Sequence, residues 1–186
     1  ENACVHLGVN FLEGVEVMEI NQTGSSFNGL LIKTATGEIK NIVSEIAILC
    51  CGAWSSELLK ELSVFPVKGQ MCSIQGPKNA LKRILFGPGT YLVPRNDGLI
   101  IVGATNEPNS GFKHGLTPNG QKELEIGISS LLPEAVNWPT MERWWGFRPC
   151  THDLLPILGE SSIKGLWLAT GHHRNGVLLA AITTKW

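Results

Sequence analysis

The stretch LWLATGHHRNGVLLAAITT, residues 166–184, decides the fold class. Within this short span the residue pattern changes from that of a strand to that of a loop and then to that of a helix. Leu166 to Thr170 is a short apolar run of the kind that forms a buried strand. Gly171 to Gly176 is a loop with glycine at both ends, and Val177 to Lys185 is predicted to be a helix. A helix that starts after such a loop presents unpaired N–H groups, which suit an anionic ligand. Taken alone, the segment is explained at least as well by an ordinary strand–loop–helix unit.

A second unit of the same kind lies nearer the N-terminus. Glu45 to Cys50 is a mostly apolar run, as expected of a strand that is buried on both faces. It leads into the glycine turn CGAWSS at 51–56 and a predicted helix through about Leu62. Before it, strand-like runs at 15–20, 27–34 and 38–42 predict a small antiparallel meander.

The middle of the chain predicts an antiparallel sheet with one helix. Asn96-Asp97-Gly98 separates two apolar runs and is a strong hairpin signal. Thr117 and Pro118 are typical of a helix start, and Pro133 marks its end. Strands are predicted over 66–74, 83–86, 90–95, 99–104 and 140–148, and a helix over 117–132. The chain is therefore predicted to be a mixed α+β and α/β protein.

Composition narrows the class of protein and of partner. The 186 residues have a formal net charge of −1, and their lysines and arginines are scattered. Nucleic acid or a membrane surface is therefore not expected as a partner, since both need a concentrated basic patch. The five cysteines form no C-x-x-C pair, which favours reduced thiols in a cytoplasmic protein over a zinc site. No H-x-x-x-H pattern occurs, and no metal site is predicted.

Two side chains are candidates for binding a carboxylate. In the predicted strand WWGFRP, residues 144–149, alternation places Trp144 and Arg148 on one face with Gly146 between them, and Gly146 leaves space for the guanidinium. Arginine binds a carboxylate through two parallel hydrogen bonds. A surface or ion-paired arginine on an edge strand is the alternative. Tyr91, the one tyrosine, could add a hydroxyl, although an amphipathic residue at the edge of the core has the same pattern.

Six motifs occur in a set order along nearly the whole chain. They are CGAWS (51–55), PVKGQ (66–70), YLVPR (91–95), VGAT (102–105), GFRP (146–149) and GHHRNG (171–176). The ordered set resembles the D-amino-acid oxidase family of FAD-dependent oxidoreductases, and within it the glycine oxidases of thiamine biosynthesis. The resemblance implies an FAD-binding domain of the glutathione-reductase type and a substrate domain with a large antiparallel sheet.

The resemblance also implies a division of the chain. Residues 1–64 and 148–186 would be parts of the FAD-binding domain, and residues 65–147 the substrate-binding domain. The G-x-G-x-x-G motif that holds the pyrophosphate of a dinucleotide does not occur in the 186 residues. The sequence is therefore expected to be a C-terminal fragment without the Rossmann motif. A start without Met and a helical pattern that runs to Lys185-Trp186 without a stop signal fit this expectation.

Individual residues take roles through the resemblance. It assigns the substrate-carboxylate arginine to Arg148, the active-site tyrosine to Tyr91 and a second substrate-contacting arginine to Arg174. It assigns a contact with the adenosine part of FAD to Val17. The flavin loop falls on His172, His173, Arg174, Asn175, Gly176, Val177 and Leu178. Glycine oxidases can carry methionine where this chain has Asn106, a departure that bears on side-chain specificity.

The reaction that the resemblance implies is oxidation of glycine, a small amine or a D-amino acid to an imine. FAD accepts a hydride from the α-carbon, oxygen reoxidises the flavin and yields hydrogen peroxide, and water hydrolyses the imine. No general base is evident in the sequence, which fits direct hydride transfer from a neutral amine. The resemblance is compatible with a homo-oligomer and with a thiazole synthase fused downstream. Two alternatives stay open: an isolated fragment without FAD or activity, and a sarcosine-oxidase-like or dehydrogenase relative.

Overall fold

The computed structural model describes residues 2–185, so the last residue of the C-terminal helical pattern, Trp186, lies outside the described residues. The helices are α1 (Asn2–His6), α2 (Ser55–Leu58), α3 (Pro118–Leu131) and α4 (Gly176–Thr183). The strands are β1 (Glu16–Thr23), β2 (Ser26–Lys33), β3 (Ile39–Val43), β4 (Ala47–Leu49), β5 (Phe65–Gln75), β6 (Leu85–Gly87), β7 (Thr90–Pro94), β8 (Leu99–Gly103), β9 (Thr140–Cys150), β10 (Ile157–Glu160) and β11 (Leu166–Thr170). The predicted mixed α/β class with antiparallel sheets is confirmed.

The largest sheet is antiparallel and has the strand order β6-β7-β8-β5-β9. Helix α3 packs on one face of it, where Leu124 and Ile128 join Leu92 and Val102 in one hydrophobic cluster. The helix begins where the sequence predicts, because the Thr117 hydroxyl accepts a hydrogen bond from the backbone N–H of Gly120. The predicted hairpin between β7 and β8 is also confirmed. The opposite face of this sheet, away from α3, carries the candidate site.

The N-terminal strands β1, β2 and β3 form the predicted antiparallel meander. A second sheet has the order β10-β11-β4, with β11 parallel to β4 and antiparallel to β10. Phe27, Leu49 and Leu166 share a hydrophobic cluster that joins the meander to this sheet. Strand β10 was not predicted, because Pro156 and Gly159 interrupt the alternation that identifies a strand.

The expectation that Glu45–Cys50 forms a strand buried on both faces is wrong. Leu49 is buried, but Ile46 and Ile48 are each 64% exposed. Strand β4 is an edge strand, and one face of its sheet is uncovered by the residues that the structure describes. On that face Ile46, Ile48, Leu158 and Trp167 line an apolar groove of about 340 Å³. We call these four residues the open face.

The helix predicted through about Leu62 ends earlier, at Leu58. Gly52–Trp54 forms a 3-10 turn before it, and Leu59 is already extended. The Ser56 hydroxyl lies 2.7 Å from the carbonyl oxygens of both Leu62 and Val64, which ties α2 to the extended chain that follows it. Helix α4 starts at Gly176, one residue before its predicted start, and ends at Thr183. No helix among residues 2–185 is long and apolar enough to cross a membrane.

Candidate active site

Arg148 lies on the sheet face opposite α3. In the register of β5 and β9, Val67 pairs with Arg148 and Gly69 with Gly146. A Cβ at Gly69 would overlap the Arg148 guanidinium, so the absence of a side chain at this position creates its space. The expectation that the guanidinium fills the space over Gly146 is wrong, since nothing lies within 4 Å of a Cβ placed there. The side chain of Arg148 leans across to the neighbouring strand.

Tyr91 lies on the same face as Arg148. Tyr91 pairs with Gly103 across β7 and β8, while the next pair, Leu92 and Val102, is buried in the cluster beneath α3. A Cβ at Gly103 would overlap the Tyr91 ring, so this glycine makes room for the tyrosine. Sequence reasoning assigned no role to Gly69 or Gly103. A glycine inside a strand was the available signal, because it often marks a close approach of another group.

Within residues 2–185, no carboxylate forms an ion pair with the half-buried Arg148 guanidinium. Among residues 2–185 the ion pairs join Lys40 to Glu38 and Arg143 to Glu125. The Nη1 atom of Arg148 donates instead to two backbone carbonyl oxygens, those of Thr105 and Lys68. A half-buried cation with no carboxylate in contact with it is suited to bind an anion. The alternative of an ion-paired arginine therefore finds no support in the described part of the chain.

The loop from Gly171 to Gly176 is held beside the end of β9. The backbone N–H of His173 donates to the carbonyl of Pro149 at 2.8 Å, which fixes the loop one residue from Arg148. The ring Nε2 of His172 lies 3.1 Å from the Thr183 hydroxyl and so ties the loop to α4. The loop reverses direction through positive φ values at Gly171 (76°) and His173 (49°).

The charges of this loop and of Arg148 influence each other. Burial lowers the pKa of the Arg148 guanidinium most; Tyr91 acts to raise this pKa, and Arg174 lowers it further. Burial also lowers the pKa of His173, followed by the charges of Arg148 and Arg174. The structure therefore brings Tyr91, Arg148, His173 and Arg174 within electrostatic reach of one another. His173 is neutral at neutral pH, so the two arginines provide the positive charge.

The start of α4 is open to a ligand. Its first residues, Val177 and Leu178, are 94% and 81% exposed, which is unusual for large apolar side chains. In the part of the chain that the structure describes, no side chain caps the N–H groups at the start of this helix, at Asn175. Exposed apolar groups beside unpaired N–H donors fit a flat ring with one anionic edge. The predicted loop residues from His172 to Leu178 are contiguous with this helix start.

One sequence-predicted residue, Val17, lies apart from this group. Val17 lies on β1 and lines a separate apolar cavity of about 80 Å³ with Leu49, Leu166 and neighbouring residues. Asn106 is exposed and follows Thr105, whose carbonyl accepts from Arg148. Asn106 is thus adjacent in sequence to an Arg148 contact.

Sequence reasoning also missed a buried polar network on the α3 side of the sheet. The side chains of Lys68, Gln70 and Thr105 are fully buried there. The carboxylate of Glu107 accepts hydrogen bonds from the Thr105 hydroxyl at 2.5 Å and from the Gln70 amide at 2.7 Å. Lys68 and Gln70 belong to the PVKGQ motif, which contributed to the family resemblance. The signal for the network was the presence of these two polar residues inside an otherwise apolar strand.

All 186 residues match the family described as FAD dependent oxidoreductase, and the chain belongs to this family. It is 45% identical over 185 residues to the bifunctional protein ThiO/ThiG of Trichormus variabilis, covering 97% of this chain and 27% of that protein. It is 40% identical over 159 residues to the glycine oxidase of Pseudomonas aeruginosa, covering 83% of this chain and 43% of that enzyme.

Solved structures have the same fold. The crystal structure of glycine oxidase from Geobacillus kaustophilus has a TM-score of 0.79 and 32% identity, covering 91% of this chain and 45% of that one. Glycine oxidase from Bacillus cereus has a TM-score of 0.79 and 28% identity, covering 92% and 48%. The chain thus spans less than half the length of these relatives.

Proposed function

We propose that this chain forms the substrate side and part of the flavin side of a cytoplasmic FAD-dependent oxidase. The enzyme would oxidise glycine, a small amine or a D-amino acid to an imine with release of hydrogen peroxide, for thiamine biosynthesis. The observation that supports this proposal most is the half-buried Arg148, which lacks a carboxylate partner among the described residues and lies beside Tyr91. The named glycine oxidases among the relatives support the same substrate class.

Substrate binding follows from the charges of the site. Arg148 would bind the substrate carboxylate through two parallel hydrogen bonds, and Tyr91 would add a hydroxyl donor from the same sheet face. Arg174 would contribute a second positive charge from the loop. Holding the carboxylate at these groups fixes where the α-carbon and the amine lie, and orientation of this kind lowers the barrier to reaction.

The described residues fit a flavin. Residues 172–178 would contact the ring, with unpaired N–H groups of α4 at its anionic edge, and Val17 would contact the adenosine part. When bound, FAD supplies the acceptor for the hydride from the α-carbon and for the reaction with oxygen. The exposed Val177 and Leu178 would cover one edge of the ring and exclude water from it.

We further propose that this chain alone does not retain FAD, because the 186 residues contain no motif for its pyrophosphate. A visible spectrum of the purified chain tests this. Flavin bands at about 375 and 450 nm should be absent from the chain alone. They should appear in a polypeptide in which this chain replaces the matching segment of the Trichormus variabilis relative. We call this polypeptide the assembled enzyme.

Peroxide assays of the assembled enzyme with glycine, sarcosine and D-alanine test the reaction. Peroxide formation with glycine or another of these amines is expected. Flavin reduction that passes electrons to an artificial acceptor, with no peroxide formed, would indicate a dehydrogenase instead. An assembled enzyme that holds FAD but is not reduced by any of the three would contradict the proposed substrate class.

A further inference from the structure

We propose that Glu107 is a positioning residue for Arg148, acting from the far side of the sheet. It would do so by fixing the two backbone carbonyl groups to which the guanidinium donates. This inference rests on the proposed function for the identity of the ligand, a carboxylate. It concerns a residue that does not face the substrate, because Glu107 pairs with Lys68 and shares the α3 side of the sheet.

The Arg148 guanidinium is oriented by carbonyl oxygens. Its Nη1 atom lies 3.2 Å from the carbonyl oxygen of Thr105 and 3.5 Å from that of Lys68. Thr105 lies two residues before Glu107. Lys68 exchanges backbone hydrogen bonds with Glu107: the Lys68 N–H donates at 3.3 Å and the Glu107 N–H donates at 2.9 Å. Any shift of residues 105–107 therefore moves both acceptors of the guanidinium.

The carboxylate of Glu107 holds this segment in place. Its Oε1 atom accepts from the Thr105 hydroxyl and from the Gln70 amide, and its Oε2 atom lies 3.3 Å from the Ser110 hydroxyl. The Thr105 hydroxyl in turn accepts from the backbone N–H of Gln70 at 2.9 Å. One carboxylate thus closes a ring of hydrogen bonds around the peptide whose carbonyl contacts Arg148.

The network is anchored to α3. The Gln70 amide also donates to the Thr117 hydroxyl at 2.7 Å and accepts from the Thr117 N–H at 2.9 Å. A Cβ at Gly120 would overlap this amide, so the first turn of α3 presses directly on it. A rigid helix, a buried amide and a carboxylate therefore form one continuous support behind the site. Supports of this kind keep a binding group within the small tolerances that function needs.

Charge explains why the support uses a carboxylate. Lys68 is fully buried, and its Nζ atom has no hydrogen-bond partner within residues 2–185. The Nζ atom lies 5.7 Å from the centre of the Trp145 ring. Burial alone would raise the pKa of the Glu107 carboxyl, but hydrogen bonds from Thr105 and Gln70 and the charge of Lys68 outweigh burial and lower it. The hydrogen bonds and the nearby charge of Lys68 thus favour the ionised form of Glu107.

A double-mutant cycle in the assembled enzyme separates positioning from a general structural role. The probe is acetate, a minimal carboxylate, and its Kd is measured by the change in flavin absorbance. The variants are Glu107→Ala, Arg148→Lys and the pair. Lysine keeps the positive charge of Arg148 but lacks the planar fork that donates to the carbonyls. The matched control is Glu123→Ala, which removes an exposed α3 carboxylate that lines the same groove as Glu107.

The expected result is a coupling between the two positions. Glu107→Ala should raise the acetate Kd by about tenfold with Arg148 present, since small displacements of a binding group have effects of this size. The same change should have less than about a twofold effect beside Arg148→Lys, because residues that act through one contact are not additive. The KM for glycine should rise with the Kd while kcat changes less, and Glu123→Ala should leave the Kd unchanged.

Other outcomes overturn the inference. If Glu107→Ala raises the acetate Kd equally beside Arg148 and beside Arg148→Lys, its effect is a general destabilisation. If Glu107→Ala does not raise the Kd at all, Glu107 does not position Arg148. If Glu107→Ala does not fold, Glu107→Met replaces it; this variant keeps most of the side-chain volume but offers no oxygen acceptor to Thr105 and Gln70, and the same coupling is required of it. An assembled enzyme that shows this coupling for acetate but oxidises no amino acid would refute the proposed function and leave the inference standing.

Discussion

Arg148 combines partial burial with the absence of a carboxylate partner among residues 2–185. Side chains of this kind are retained when a ligand supplies the missing charge, because an uncompensated charge away from water is unfavourable. Replacement of Arg148 by alanine in the assembled enzyme should raise the KM for glycine on the order of a hundredfold, as for loss of one partner of a buried charge pair. Steady-state peroxide assays measure this. Arg95→Ala, at an exposed arginine, is the control, and an unchanged KM for Arg148→Ala would refute the carboxylate role.

His173 gives the loop a dependence on pH. Its pKa is lowered from 6.5, first by burial and then by Arg148 and Arg174. A lowered pKa means that the unfolded chain binds a proton more readily than the folded chain. The contribution of His173 to stability is therefore present above pH 6.5 and is lost as the pH falls below it. Melting temperatures of the assembled enzyme between pH 8 and pH 5 should fall less steeply for His173→Gln, and an identical pH profile would contradict this.

Gly69 of β5 and Gly146 of β9 are paired across the sheet, but they differ in the space around them. A methyl group at Gly69 would overlap the far end of the flexible Arg148 side chain, whereas one at Gly146 meets open space. Gly69→Ala should therefore displace the guanidinium and raise the KM for glycine by about tenfold, while the fold adapts at little cost. Gly146→Ala is the matched control and should change neither the KM nor the melting temperature by much. Equal KM values for the two variants would be incompatible with the packing of Arg148 over Gly69.

The strands and helices show which features of the site the sequence could predict and which it could not. Alternation along β9 correctly placed Arg148 on a face of the strand, because alternation depends only on neighbouring residues. It could not tell that the guanidinium lies over Gly69, since this depends on the register between β5 and β9. The support from Glu107 was missed for the same reason: its partners include Gln70, which is remote in sequence. The hairpin turn and the start of α3 were predictable because both are determined locally.

At the scale of the whole molecule, the open face indicates where further protein would pack. The apolar run at residues 45–50 predicted a strand that is buried on both faces. In the part of the chain that the structure describes, however, Ile46 and Ile48 are exposed. Composition indicates the environment that a strand requires, and this chain covers less than half of each of the relatives described above. We therefore predict that a further layer of protein covers this face, as the expected division into FAD-binding and substrate-binding domains implies.

Replacement of Ile48 by lysine tests this layer. In the chain alone the change should reduce binding of a hydrophobic dye and improve solubility, because it interrupts an exposed apolar patch. In the assembled enzyme it should lower the melting temperature, because an unpaired charge would be buried. Ile126→Lys, at an exposed site on α3, is the control and should have little effect in either form. The same effect of both changes on the assembled enzyme would argue against a covered face.

Strand β5 contributes residues to both faces of its sheet. Gly69 lies under the guanidinium on one face of the sheet. The side chains of Lys68 and Gln70, its neighbours in sequence, are buried on the other face. Because the two faces alternate residue by residue, insertion or deletion of a single residue here would exchange them. A lysine side chain would then occupy the space of the arginine, and the glycine would leave a gap beneath α3. The length of this strand is thus under a stricter constraint than the identity of most of its side chains.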